Sequence, residues 1–132
     1  MHNISVYLIR KSDLRDEKID NILESKTDNK IVWIEMGSDI LATLYIPNIE
    51  EFGKDKMIAD ISTDYFGGMG NQSAKLAINN KVVYDENDEY NLSLRPINTV
   101  LEKMGVVKNE GMDEFDTIGL GKYRSNKDFI SV

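Results

Sequence analysis

The stretch MIADISTDYFGGMGNQSAKLAINNKVVY, Met57 to Tyr84, decides the fold. Side chains of an extended chain alternate between two faces. From Met57 to Tyr65 one face then carries Met57, Ala59, Ile61, Thr63 and Tyr65, and the other Ile58, Asp60, Ser62 and Asp64. A glycine segment follows, after which Ala74, Leu76 and Ile78 recur with the same period of two and line the core face of a second strand. Asn79-Asn80 is a turn signal leading into a third strand, Lys81 to Tyr84. Three strands joined by short turns make an antiparallel meander.

Towards the N-terminus, Ile4 to Ile9 is a short β-rich run and reads as a strand. Ser12 and Asp13 offer helix caps, and Leu14, Ile19, Ile22 and Leu23 recur at helical spacing, so an amphipathic helix is expected over about 13–25. Ile31 to Met36 is almost continuously apolar. It is expected to be a central strand covered on both faces. Gly37-Ser38-Asp39 turns the chain into Ile40–Ile46, with Ile40, Ala42, Leu44 and Ile46 on one face, and residues 31–46 thus form a hairpin.

Towards the C-terminus, Asp85 to Asn91 reads as a polar loop. Ser93 is placed to cap a second helix, whose first turn tolerates Pro96 because the first N–H groups there have no helical partner. Ile97, Val100, Leu101 and Met104 form its apolar stripe, and Gly105 is its stop. The tail beyond has little periodicity until Asp128-Phe129-Ile130. The expected architecture is a single α+β domain over residues 1–132. It has a mainly antiparallel sheet of about six short strands, with two helices packed on one face.

The chain has 132 residues, no cysteine, 41% hydrophobic residues and a formal net charge of −7. Absence of cysteine removes disulfides and thiolate chemistry and fits a reducing compartment. No run approaches a membrane span, and the N-terminal apolar run is too short for a signal-peptide core; a cytoplasmic location is expected. The negative charge disfavours nucleic acid as a partner and would steer a basic one, although it also serves solubility; no membrane partner is expected.

His2 is the only histidine and stands at a start expected to fray. Nucleophile–histidine catalysis and His/Cys zinc sites are therefore not expected, and no cofactor is. Asp60 and Asp64 share a strand face roughly 13 Å apart at standard rise, too far for a glycosidase pair. They read as a solvated face near Lys75 across the ladder, or as a binding surface. Asp85-Glu86-Asn87-Asp88-Glu89 begins like a calcium loop, but the sixth and twelfth positions hold Tyr90 and Pro96 instead of Gly and Glu. Gly68-x-Gly70-x-x-Ser73 approximates a dinucleotide fingerprint without the helix that must follow it.

Two segments stand out. Asp64 to Gln72 sets Tyr65 and Phe66 beside three glycines and two amides. It is either a bulged hairpin whose aromatics pack or a shaped loop offering polar groups. Asp113 to Arg124 sets acids around Phe115 and then turns glycine-rich and basic. It is either a docked tail with Phe115 and Leu120 buried, or an interface carrying Tyr123 and Arg124 as anchors. On Thr63–Ser73 and on Asp113–Asp116 through Tyr123-Arg124-Ser125, the chain resembles small bacterial immunity-type partners of polymorphic toxins, over residues 57–127. That resemblance implies a small acidic protein that binds another protein, and it brings no catalytic motif.

The expected function is non-enzymatic protein binding. An immunity or inhibitor role would present Asp60, Asp64, Tyr65, Phe66, Gln72, Glu114, Asp116, Tyr123 and Arg124 to a basic toxin domain. A homodimer stays open. The alternatives are a carboxylate-dependent hydrolase at the Gly67–Gln72 loop, with a deep pocket holding at least two acids, and an accessory structural protein of a phage or mobile element.

Overall fold

The computed structural model describes residues 2–14, 33–66, 69–88 and 95–129, with Phe66 and Met69 described by backbone alone. Its strands are β1 (Ser5–Arg10), β2 (Ile34–Glu35), β3 (Ile40–Thr43), β4 (Met57–Phe66), β5 (Met69–Ile78) and β6 (Lys81–Asp88). They form one six-stranded sheet in the order β2-β3-β1-β4-β5-β6, antiparallel at every ladder. The helices are α1 (Ile49–Phe52), α2 (Pro96–Lys103) and α3 (Glu114–Ile118). The protein is thus a small α+β domain with a mainly antiparallel sheet.

The expected meander is β4–β5–β6, and its faces fall as the alternation requires. Ala59, Ile61, Ala74 and Leu76 are buried on one side, while Asp60 and Lys75 pair across the ladder on the other. The turn at Asn79-Asn80 has both residues at positive φ, 51° and 65°. That is the backbone of the two-residue hairpin turn that matches strand twist, and asparagine tolerates it better than most residues. Ser38 and Asp39, at 59° and 64°, make the same kind of turn between β2 and β3.

Two cores lie on opposite sides of the sheet. The larger one sets Val6, Leu8, Ala42, Ile61 and Leu76 beneath the Ile97, Val100, Leu101 and Met104 stripe of α2, with Ile118, Leu120 and Phe129 beside it. The smaller gathers Ile9, Leu14, Trp33, Leu41, Ile46 and Ile58, with Tyr7 and Phe52 at its edge. β1 therefore buries residues on both faces, which is why it sits inside the sheet. Leu101, fully buried, would cost about 2–5 kcal/mol on truncation to alanine.

Several expectations need correction. Among the described strands, the segment Trp33–Met36 is not central, because β2 is the last on its side of the sheet; Ile31 and Val32 of the expected strand lie outside the described residues. Its apolar run arises because Trp33 faces the smaller core against Phe52 while Met36 faces the larger one. Ile46 joins Leu41, not Ile40 and Ala42, since β3 ends at Thr43 and the alternation ends with it. Ile78 is exposed and takes no part in the larger core. Asp85 to Asp88 are not loop but the second half of β6, paired with β5. The tail is structured as α3 and two short 3₁₀ turns, Leu120–Lys122 and Asn126–Phe129.

Lys11–Leu14 forms a 3₁₀ turn, and the remainder of the helix expected over 13–25 lies outside the described residues, as do Ser93 as a cap and residues 89–91 of the expected polar loop. α2 starts with Pro96 in its first turn, as expected, and ends before Gly105, whose φ of 95° fits the left-handed stop.

Candidate functional site

His2 is held in place, contrary to the expectation of fraying. Its backbone pairs with Tyr65 through bonds of 3.1 and 2.8 Å, which extends the β1–β4 ladder past Ser5. The imidazole Nε2 lies 3.2 Å from the Leu120 carbonyl oxygen, and Nδ1 lies 2.7 Å from Thr63 Oγ1. A carbonyl only accepts, so Nε2 carries the proton and Nδ1 accepts from the threonine hydroxyl. Burial pulls the imidazole pKa below its ordinary value, opposed by the bond to Leu120. Thr63 Oγ1 also accepts from the Ile4 N–H at 3.1 Å. Thr63 is only 2% exposed, so this hydroxyl is a structural junction and offers no reachable nucleophile.

Beside His2 opens a cleft of about 380 Å³ between the end of the β4–β5 hairpin, the start of α2 and the tail. Tyr65, Gln72, Asn98, Asp113 and Phe115 line it. Arg95, Arg124 and Gly121 complete it. The ring of Phe115 lies 5.5 Å from that of His2, tilted by 57°.

A hydrogen-bond relay shapes this cleft. Gln72 Nε2 donates to the Tyr65 hydroxyl oxygen at 2.7 Å, and its Oε1 accepts from the Ile97 N–H at 3.0 Å. The cap residue of α2, Arg95, has a left-handed backbone and no side-chain cap bond. Gln72 therefore satisfies from the neighbouring strand a helix N–H that a serine or aspartate usually would. Asn98 donates to Asp113 at 3.1 Å and accepts from the Phe115 N–H at 2.8 Å, tying α2 to the start of α3. Asp113 caps α3 by accepting from the Asp116 N–H at 2.8 Å, and Gly119 ends that helix at a φ of 87°.

The nine residues expected at one binding surface divide among several places. Tyr65, Gln72 and Arg124 meet in the cleft. Asp60 and Asp64 lie on the opposite face of the sheet, because they occupy the other phase of β4. Phe66 pairs with Met69 at the end of the hairpin. Glu114 and Asp116 belong to the first turn of α3. Tyr123 stacks on Phe129 at 4.3 Å and packs against the larger core.

On the outer face, Tyr7, Asp60, Lys75 and Asp85 stand side by side across β1, β4, β5 and β6. The Asp60 carboxyl titrates above its ordinary value through desolvation; Lys75 opposes the shift and Asp85 adds to it. Asp60 as a residue is exposed, so the desolvation comes from the neighbouring side chains of the sheet. Desolvation, followed by the charge of Asp60, raises the Tyr7 phenol. At Asp116 desolvation and then neighbouring Asp113 raise the carboxyl pKa.

Sequence reading missed His2, Arg95 and Asn98. Arg95 and Asn98 had a signal in their position around Pro96, since the residues flanking a helix start project from its end. Among the described residues, no group of three or more His, Cys, Asp or Glu could hold a metal ion. No protein-family model matches this chain, and neither a curated protein nor a solved structure matches it. No helix among the described residues is long and apolar enough to cross a membrane.

Proposed function

We propose that this chain is a non-enzymatic protein-binding domain, acting in the cytoplasm, that presents the outer face of β4–β5–β6 to a basic partner. One observation carries the reading: the row Asp60–Lys75–Asp85 sets two carboxylates around one ammonium on an open face, with Asp60 already resisting ionisation. An incoming arginine or lysine would offset the net negative charge of that row, and Asp64 extends the same face towards the hairpin end. Close charge pairs across an interface speed association and can contribute strongly to affinity. The resemblance to immunity-type proteins makes a basic toxin domain the partner of choice.

The hydrolase alternative has less support. The described lining of the cleft holds one carboxylate, Asp113, and that group is engaged in capping α3.

The test is co-expression with the product of the neighbouring gene, followed by binding measured at rising salt. Asp60→Lys combined with Asp85→Lys should abolish a complex that the native chain forms, and about 0.5 M salt should weaken it severely because exposed charges are then screened. A complex indifferent to both charge reversals and salt would sink the reading.

A further inference from the structure

We propose that the cleft beside His2 is a binding site for a small oxyanion, a phosphate or carboxylate, carried on a flat apolar body. The site lies on the helix-covered side of the sheet and does not depend on the reading of the acidic face.

Most hydrogen-bonding groups of the cleft are already engaged within the protein. Gln72 and Asn98 each spend both ends of their amides inside the protein. Both imidazole nitrogens of His2 are engaged. Asp113 accepts from Asp116 through one oxygen and from Asn98 through the other. What the cleft still offers is donation. Tyr65 receives a bond at its oxygen from Gln72, which leaves its own hydroxyl proton to give. Arg95 reaches Asp113 only at 3.7 Å, beyond good hydrogen-bond range, and its side chain is 60% exposed. Its planar guanidinium therefore keeps donors suited to a two-oxygen anion. Arg124 adds a second cation to the lining.

Charge points the same way. The described lining of the cleft carries two guanidinium groups and one carboxylate, with the Asp128 carboxylate bonded to the Arg124 N–H beside it, on a chain whose formal net charge is −7. Arg95 also holds a φ of 42° at the start of α2, a backbone state that residues with a side chain adopt at a cost. The ring of Phe115, tilted against that of His2, supplies a flat apolar surface beside these donors. A volume of about 380 Å³ is within the usual range for a small-molecule site.

The test is titration of the full chain with phenyl phosphate, benzoate, inorganic phosphate and benzyl alcohol, followed by amide NMR. Phenyl phosphate, benzoate or both should give saturable shifts centred on Asn98, Gly121 and Arg95, and whichever binds more tightly identifies the oxyanion. Inorganic phosphate should bind more weakly and benzyl alcohol not at all. Arg95→Gln should weaken binding about tenfold or more, as expected for loss of a charge-assisted contact, while Lys108→Gln, an exposed cation outside the cleft, should not. Arg124→Gln provides a second cleft variant, each variant being checked for native amide dispersion. The proposal is overturned if neither aromatic anion saturates by about 20 mM, well above ordinary weak affinities. It also falls if benzyl alcohol binds equally well, or if both arginine variants titrate like the native chain.

Discussion

Replacing Thr63 by valine keeps the shape of a fully buried side chain and removes one oxygen. That oxygen accepts from the Ile4 N–H at 3.1 Å and bonds His2 Nδ1 at 2.7 Å. Ile4 is completely buried, so its N–H has no water to turn to. Leaving such a donor unsatisfied costs about 1–3 kcal/mol, and loss of the His2 bond adds about 1 kcal/mol, for a total of about 2–4 kcal/mol. With an unfolding entropy of about 2 cal/mol/K per residue, that corresponds to a fall in Tm of roughly 7–14 °C. We predict this loss in urea titration and calorimetry, and predict that Thr63→Ser, which keeps the hydroxyl, retains most of the stability. A double-mutant cycle with His2→Ala should show coupling of about 1 kcal/mol. If Thr63→Val unfolds within about 0.5 kcal/mol of the native chain, the junction at Thr63 does not hold the N-terminus.

The two alanine substitutions Gly70→Ala and Gly119→Ala should differ sharply in urea midpoint. A Cβ at Gly70 would collide with the Asp64 carbonyl oxygen and come within 2.6 Å of Tyr65 Cα, at a loss of about 2 kcal/mol or more. At Gly119 nothing lies within 4 Å and only the φ of 87° opposes a side chain, at about 1 kcal/mol. Equal losses would contradict the packing at the hairpin end. Gln72→Ala should destabilise by about 1–2 kcal/mol, as loss of a helix cap does, and an unchanged unfolding midpoint would refute its capping role. Stability should also fall as pH drops below about 6.5, the unfolded histidine value. His2 titrates lower when folded, so the unfolded chain binds the extra proton in that window. The raised Asp60 and Asp116 act with opposite sign, but at the more acid pH of carboxylates. His2→Phe should flatten the dependence between pH 7.5 and 5.5, and a slope unaltered by that change would count against the assignment.

Local pattern alone determined much of this protein. The alternation of Met57–Tyr65 and Ala74–Leu76, the left-handed turns at Ser38-Asp39 and Asn79-Asn80, and the Ile97–Met104 stripe closed by Gly105 each follow from short-range geometry, and they hold in the tertiary structure. Strand order does not follow from such patterns. An apolar run such as 31–36 reads the same in the middle of a sheet or at its edge when Trp33 finds a second core to enter. The candidate site was legible only in pieces for the same reason. Tyr65 and Asp64 are neighbours in sequence and occupy opposite faces of the sheet, while Tyr65 meets Asn98, Phe115 and Arg124 although at least 33 positions separate it from each of them. Most hidden was His2, whose place is set by Thr63 and Leu120, 61 and 118 positions away. Alternation and turn chemistry act within a few residues. The long-range hydrogen bonds and two-sided packing that assemble the cleft exist only once the chain has closed on itself.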